Sequence, residues 1–306
     1  MATNSSLAIL KAMGTLPSIL APAAQEQIRG FLQSQLLPEG AFANRFGQAD
    51  LYYTSFGLAG AEALGMKLPL KAVEGYLKSQ APASLDLIHL HCYLRSVLLL
   101  RKLSTPALLS PALLPGLLRR VPEAALIPNF SQAGGYRIAL DKPVTPYAIF
   151  LAVTAFSSCG MPVPEPARLL ATLAAFRTPD GGWSNVPGTA EGTVNAAAAA
   201  LVTLAECGIE PDAPAQAWLL RQFETPSGGV HGVALAPLPD LLSTASALTA
   251  LHVGKIPLPE ARKKRCRDLV LDHWNADGGF TGTVADDVSD CEYTFYGLLA
   301  LGILAS

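Results

Sequence analysis

Charge is scarce in this chain. Only 15% of its 306 residues are Asp, Glu, Lys or Arg, the formal net charge is −2, and no long stripe of Lys and Arg runs through it. That balance argues against nucleic acid or an anionic membrane surface as the main partner, because both are recognised through clustered cations. The one basic run, Arg262-Lys263-Lys264-Arg265, reads as the solvated face of a helix. Cysteines are few: Cys92, Cys159, Cys207, Cys266 and Cys291 form no Cys-x-x-Cys pair and sit in or beside helical runs. Buried thiols and a cytoplasmic location are therefore expected, not a disulfide framework. No apolar run reaches a convincing membrane-spanning length, and residues 1–20 are broken by Lys11, Gly14 and Pro17, unlike the continuous apolar stretch of a signal peptide.

What is present is a repeat. Gly278-Gly279-Phe280 is followed by a polar loop, Asp290, Thr294, Gly297 and an apolar run; Gly40-Ala41-Phe42 is followed in the same way by Asp50, Thr54 and Gly57. Further copies begin at Gly134, Gly181 and Gly228, so the first glycines are spaced 94 (twice 47), 47, 47 and 50 residues apart. The missing copy falls near residue 87, where Asp86 opens another apolar run. A fixed period of this size marks a repeat architecture, here of six units. Each turn needs a residue free to adopt positive φ, and each Asp can cap a helix start.

Every unit reads as two helices. The segments 24–36, 71–80, 106–120, 165–176, 213–223 and 260–274 are amphipathic, which predicts an outer layer. The segments 51–64, 86–100, 145–157, 194–205, 241–251 and 291–304 are apolar almost all round, which predicts an inner layer covered by protein. The five consecutive alanines at 196–200 allow close helix approach, and no sheet is expected. Residues 1–23 form an N-terminal extension to a single domain over 24–306. Six helix pairs suggest a closed barrel, though the period alone is equally that of an open solenoid.

The unit Gly-Gly-Phe/Trp, loop, Asp-x-x-Tyr-Thr-Phe-Tyr-Gly-Leu-Leu-Ala-Leu resembles the repeats of protein prenyltransferase beta subunits and squalene–hopene-type terpene cyclases, over roughly residues 24–304. The resemblance implies an all-α (α/α)6 toroid. It also implies where chemistry would sit. The prenyltransferase zinc ligands fall on Asp240, Leu242 and Tyr293, and Leu242 cannot donate to a metal that needs several N, S or O donors, so neither metal nor cofactor is expected. The diphosphate-binding Arg and Lys fall on Ala234 and Pro237. Arg45, Arg137 and Lys142 could substitute but read as solvated loop charges. The cyclase Asp-x-Asp-Asp motif is absent.

The candidate catalytic residues are therefore Asp290, Glu292, Tyr293, Asp240 and His89. Asp286, Asp287, Asp290 and Glu292 crowd carboxylates that could raise one pKa, against a plain reading as helix caps and solvated loop. Asp86 and His89 are neighbours at i, i+3, with His91 and Tyr93 completing a second polar cluster. The resemblance places Tyr52, Tyr53, Phe56, Tyr147, Ser243, Ser246 and Tyr296 at a ligand cavity. An isoprenoid or another apolar small molecule would suit such a wall. Three readings stay open: a zinc-free isoprenoid-binding protein, a cyclase or prenyltransferase with a rearranged site, and an interaction module that meets a protein partner at the toroid rim.

Overall fold

The structure, a computed structural model, describes residues 4–104, 126, 129–132 and 134–306. In chain order its helices are α1 (Ser5–Met13), α2 (Leu16–Ile19), α3 (Pro22–Gln35), α4 (Leu51–Ala63), α5 (Leu70–Ser79), α6 (Leu87–Ser104), α7 (Pro146–Ser158), α8 (Pro166–Ala174), α9 (Val194–Glu206), α10 (Ala213–Arg221), α11 (Leu241–Val253), α12 (Glu260–Asp272) and α13 (Cys291–Ala305). The outer helix expected at 106–120 lies outside the described residues.

Closure is settled by which helices touch. The inner helix α4 packs on α6, α6 on α7, α7 on α9, α9 on α11, α11 on α13, and α13 returns to α4. The fold is thus an all-α toroid, with α3, α5, α8 and α12 laid against the outside of their inner partners. The inner helices other than α6 are buried nearly all round, as their apolar sequences require, and Ala196 to Ala200 are buried throughout; in α6 buried residues are interspersed with partly exposed ones.

One device recurs and explains the period. The aromatic that follows the turn is fully buried at Phe42 and Phe280. Its backbone N–H donates to the Thr four residues into the next helix start: Phe42 to Thr54 at 2.9 Å, Phe280 to Thr294 at 3.1 Å, and likewise Val230 to Thr244 at 3.0 Å. Three residues further on, a Cβ added to Gly57 or Gly297 would lie 2.3 or 2.4 Å from the Phe42 or Phe280 ring, so nothing larger than glycine fits. The Asp cap, the Thr and the Gly are one mould for one aromatic side chain.

Each turn also docks on the outer helix of the following unit. At the sixth turn this joins the end of the repeat array to its beginning: Gly278, at φ 93°, would place a Cβ 2.3 Å from the carbonyl oxygen of Gln27 in α3. Only a residue without a side chain reaches both that dihedral and that contact.

The expectation of no sheet needs a small correction. Two-residue strands β1 (Phe42–Ala43) and β2 (Ala49–Asp50) pair antiparallel, with Phe42 opposite Asp50, as do β3 (Phe130–Ser131) and β4 (Gly135–Tyr136). The ladder holds the buried aromatic level with the helix cap, which is why the loop between them folds back on itself.

The N-terminal extension is more closely tied to the ring than its sequence suggested. Helix α1 lies against the C-terminal ends of several inner helices, contacting α7, α9, α11 and α13. The Ser5 N–H donates to Glu206 Oε1 at 2.7 Å, Ser6 and Ser158 share a hydrogen bond at 2.8 Å, and a Cβ on Gly302 would meet the Ala12 carbonyl oxygen at 2.5 Å. Ala12 and Met13 are buried. One end of the ring is therefore covered by α1, and the loops that precede the inner helices surround the other. Among the described residues no helix is long and apolar enough to cross a membrane.

Candidate functional site

The N-terminal ends of the inner helices converge on the loop face, where caps and charges are concentrated. Asp290 accepts from the Tyr293 N–H at 2.8 Å, and Asp240 from the Ser243 N–H at 2.7 Å. Arg45, on the loop before α4, donates to Asp290 at 2.7 Å and to Asp286 at 2.9 Å, and its guanidinium lies 5.5 Å from the Tyr293 ring centre. Arg45 is thus not a solvated loop charge: it ties the first unit to the sixth. Burial pushes the Asp290 carboxyl up, and the bonds from Tyr293 and Arg45 offset only part of that.

Below this bridge the first and sixth units present an aromatic wall. Tyr52 donates its hydroxyl to Glu292 Oε1 at 2.6 Å across the seam. Tyr52 and Phe56 pack edge to face at 4.9 Å, and Phe56 meets Phe295 at 5.2 Å and Tyr296 at 5.6 Å. From the second unit, Arg95 lays its guanidinium 4.2 Å from the Phe295 ring centre and 5.3 Å from that of Phe56. From the third, Tyr147 stands close enough to Tyr52 and Tyr296 to raise their pKa values. Side chains from four units meet at the centre of the ring. Tyr52, Arg95, Tyr147, Glu292 and Tyr296 nevertheless stay partly exposed, which inside a closed ring means that space remains beside them.

This environment disfavours charge. Burial pushes Glu292 up; Tyr52 and Arg45 pull its pKa back, and Asp290 adds to the rise. Burial also raises the Tyr52, Tyr147 and Tyr296 phenols and lowers the Arg95 guanidinium. Tyr53 and Tyr293, nearer the mouth, are pushed up to about 12, chiefly by burial with the nearby carboxylates adding to it. His91, one turn before Arg95 on α6, is driven down to about 4 by burial and by Arg95. Its Nδ1 faces the Leu151 carbonyl oxygen at 3.2 Å.

The structure gathers some of the sequence candidates and separates others. Tyr52, Phe56, Tyr147, Glu292 and Tyr296 meet at the centre. Phe56 is only 6% exposed, so it is as much core as wall. Asp290, Tyr293 and Tyr53 lie nearer the mouth, around Arg45. Ser246 is partly exposed on α11, whereas Ser243 is buried beneath Gly232, whose added Cβ would fall 2.9 Å from its hydroxyl. Asp240 serves as the cap of α11. His89 pairs with Asp86 at 2.7 Å, half-exposed at the start of α6 and not buried in it. Arg95 was not singled out by the sequence; the signal available was a lone arginine one turn after His91 within an apolar helix.

A zinc ion does not fit the position the resemblance assigns to it. The Asp240 carboxylate is engaged by its cap, Leu242 has no donor, and Tyr293 points its ring at Gly282. Among the described residues no three His, Cys, Asp or Glu side chains come together to hold a metal. A separate cleft of about 230 Å³ opens on the loops of the fourth and fifth units beside Asp180, Trp218 and His231. Asp180 there is fully engaged in holding the loop, accepting from Trp218 Nε1 at 2.7 Å and from the N–H groups of Gly182 and Gly192 at 3.1 Å.

No family model matches the chain, and no curated protein matches its sequence. Solved structures do. The type II terpene cyclase MstE from Scytonema superposes with a TM-score of 0.59 at 14% identity, covering 92% of this chain and 96% of that one. A variant of MstE in complex with its substrate geranylgeranyl dihydroxybenzoate gives 0.57 at 14% identity, with 97% of each chain covered. Candida albicans protein geranylgeranyltransferase-I complexed with GGPP gives 0.54 at 12%, covering 99% of this chain and 84% of that one. At these identities the likeness establishes the prenyltransferase and terpene-cyclase type of α/α toroid.

Proposed function

We propose that the protein binds an isoprenoid-like apolar ligand in the space at the centre of its ring, without zinc. The observation that carries this reading is the partly exposed aromatic wall of Tyr52, Tyr147 and Tyr296 inside a closed ring, facing the smaller Leu242 and Ser246 of α11. Such a surface suits a long unsaturated chain, which gains roughly 0.8 kcal/mol per buried methylene. The ligands of MstE and of the geranylgeranyltransferase point the same way. Titration with a fluorescent C20 polyprenyl alcohol tests it: saturable binding of one probe per chain is expected, with no zinc by elemental analysis. Ser246→Phe, which fills the space opposite the wall, should weaken binding at least tenfold with an unchanged melting temperature. Absence of binding by the wild type, or equal binding by the variant, overturns the reading.

A second reading, a cyclase with a rearranged site, is favoured by Glu292. Glu292, its pKa raised by burial, keeps its proton to a higher pH than an exposed carboxyl does and, set among aromatic rings, is the acid placed to deliver a proton to an alkene. Loss of turnover of polyprenyl substrates in Glu292→Gln, with binding retained, would support that step. The exposed Phe46 and Leu235 on the loop face favour the rim as a docking surface for a protein partner. Native mass spectrometry separates the readings, since a bound lipid supports the first and a protein complex with an empty ring supports the last.

A further inference from the structure

Among the described residues Arg95 is the one strong cation at the centre of the ring. It lies eight residues past the start of α6, about 12 Å along the helix axis, and helical side chains lean back toward the N-terminus, toward the mouth. Its guanidinium therefore reaches the level of Phe56 and Phe295, the rings it faces at 5.3 and 4.2 Å. Those ring faces stabilise the charge but accept none of its five N–H donors in line. Among the described residues no carboxylate or carbonyl group pairs with it: Glu292 is engaged by Tyr52, and Asp290 by Arg45. A guanidinium held among aromatic rings, partly exposed to the inside of the ring and without a protein acceptor, is open to an anionic group that supplies one.

Its surroundings point to the same kind of ligand. The Tyr296 hydroxyl lies near Arg95, and that of Tyr147 near Tyr296. All three are hydrogen-bond donors, they come from three different units, and no described residue accepts a hydrogen bond from either of these two hydroxyls. Away from these donors, Leu242 and Ser246 of α11 are smaller and partly exposed, so the room for an apolar chain lies on that side.

We propose that the ligand of this ring is an isoprenoid acid whose carboxylate is held by Arg95 between Tyr147 and Tyr296, with the hydrocarbon chain against α11. A carboxylate matches the planar fork of a guanidinium and accepts two parallel N–H bonds. The proposal rests on the isoprenoid-binding reading and adds the head group to it.

A pair of ligands of equal length separates the two. Wild type and Arg95→Met are titrated with all-trans geranylgeranoic acid and with geranylgeraniol at pH 7.5, and thermal melts of both proteins are recorded. The wild type should bind the acid at least tenfold more tightly than the alcohol. Arg95→Met should bind both equally, at about the wild type's affinity for the alcohol, and should show a cooperative thermal melt that marks it as folded. Arg95→Lys should keep part of the preference, and it replaces Arg95→Met should that variant fail to fold. Equal binding of acid and alcohol by the wild type overturns the head-group assignment and leaves isoprenoid binding intact. Binding of neither ligand overturns both. Preference for the acid persisting in Arg95→Met places the carboxylate elsewhere and also overturns the proposal.

Discussion

The seam between the sixth and first units and the arc formed by the fourth and fifth are built on the same repeat, yet they differ at the positions that face inward. Counting from the capping Asp, the second, third and sixth residues are Tyr52, Tyr53 and Phe56 on α4 and Glu292, Tyr293 and Tyr296 on α13, but Leu242, Ser243 and Ser246 on α11. The cap and the threonine are shared by all three, Asp50, Asp240 or Asp290 and the Thr that receives the turn's N–H, although the fifth unit has Val230 and Ala247 where the other two fit a phenylalanine to a glycine. Scaffold and lining are thus separable. The repeat fixes where each helix starts, and the inward residues are free to make one side aromatic and ionisable and the other small.

The largest effect that sharpens this contrast belongs to Phe56. Although placed by resemblance on a cavity wall, it is packed by Tyr52, Phe295, Tyr296 and Arg95, so Phe56→Ala should cost on the order of 3–5 kcal/mol in chemical denaturation. The equivalent Ser246→Ala on the arc should cost less than about 1 kcal/mol. A Phe56→Ala protein as stable as wild type would show the wall to be lining alone, and the seam no better packed than the arc.

His91 gives an effect of similar size confined to acid. Its pKa falls from an ordinary 6.5 to about 4 on folding, so between those values the unfolded chain binds more protons. Stability should be fully present above pH 6.5 and decline by up to about 3 kcal/mol as pH falls to 4. His91→Asn should flatten this decline in urea titrations at pH 4, 5, 6 and 7. An unchanged pH profile in the variant would mean that His91 is hydrated and titrates normally.

The smallest effect compares caps. Asp240→Ala removes one capping bond and should cost about 0.5–2 kcal/mol. Asp290→Ala removes the same bond and also one of the two ion pairs of Arg45, so it should cost about 1 kcal/mol more. Equal losses by thermal denaturation would show that the Arg45 bridge contributes nothing at the seam.

The framework was readable in the sequence because its signals are local and repeated. Glycine, aromatic, Asp and Thr at fixed offsets are all consequences of one turn pressed on one helix start, so five visible copies of the turn fix the units. Tyr52, Glu292 and Tyr296 were pointed to by the family resemblance, counted from the same capping Asp, and the structure brings them together. What escaped was non-local. Arg45 finds Asp290 and Asp286 across more than two hundred residues of chain, and no spacing rule connects a loop before the first inner helix to one before the last. Arg95 was hidden because an apolar helix leaves one polar residue looking incidental until the ring shows which way it faces. The role of α1 was invisible for the same reason, since its buried face is complementary to helix ends drawn from four distant segments.

The covering of one end by α1 has a bearing on how the chain is made. Its partners extend to α13, so α1 has no finished seat until residues 291–305 have followed, and the same residues supply the wall that meets α4. Every earlier nascent chain is an open arc with the apolar flank of α4 uncovered. Closure of the ring, its covered end and its aromatic wall thus all wait on synthesis of the sixth unit. Contacts spanning nearly the whole length make that final step slow in comparison with pairing of neighbouring units. Chaperone demand should therefore peak late, when five units are in place and the sixth is still emerging.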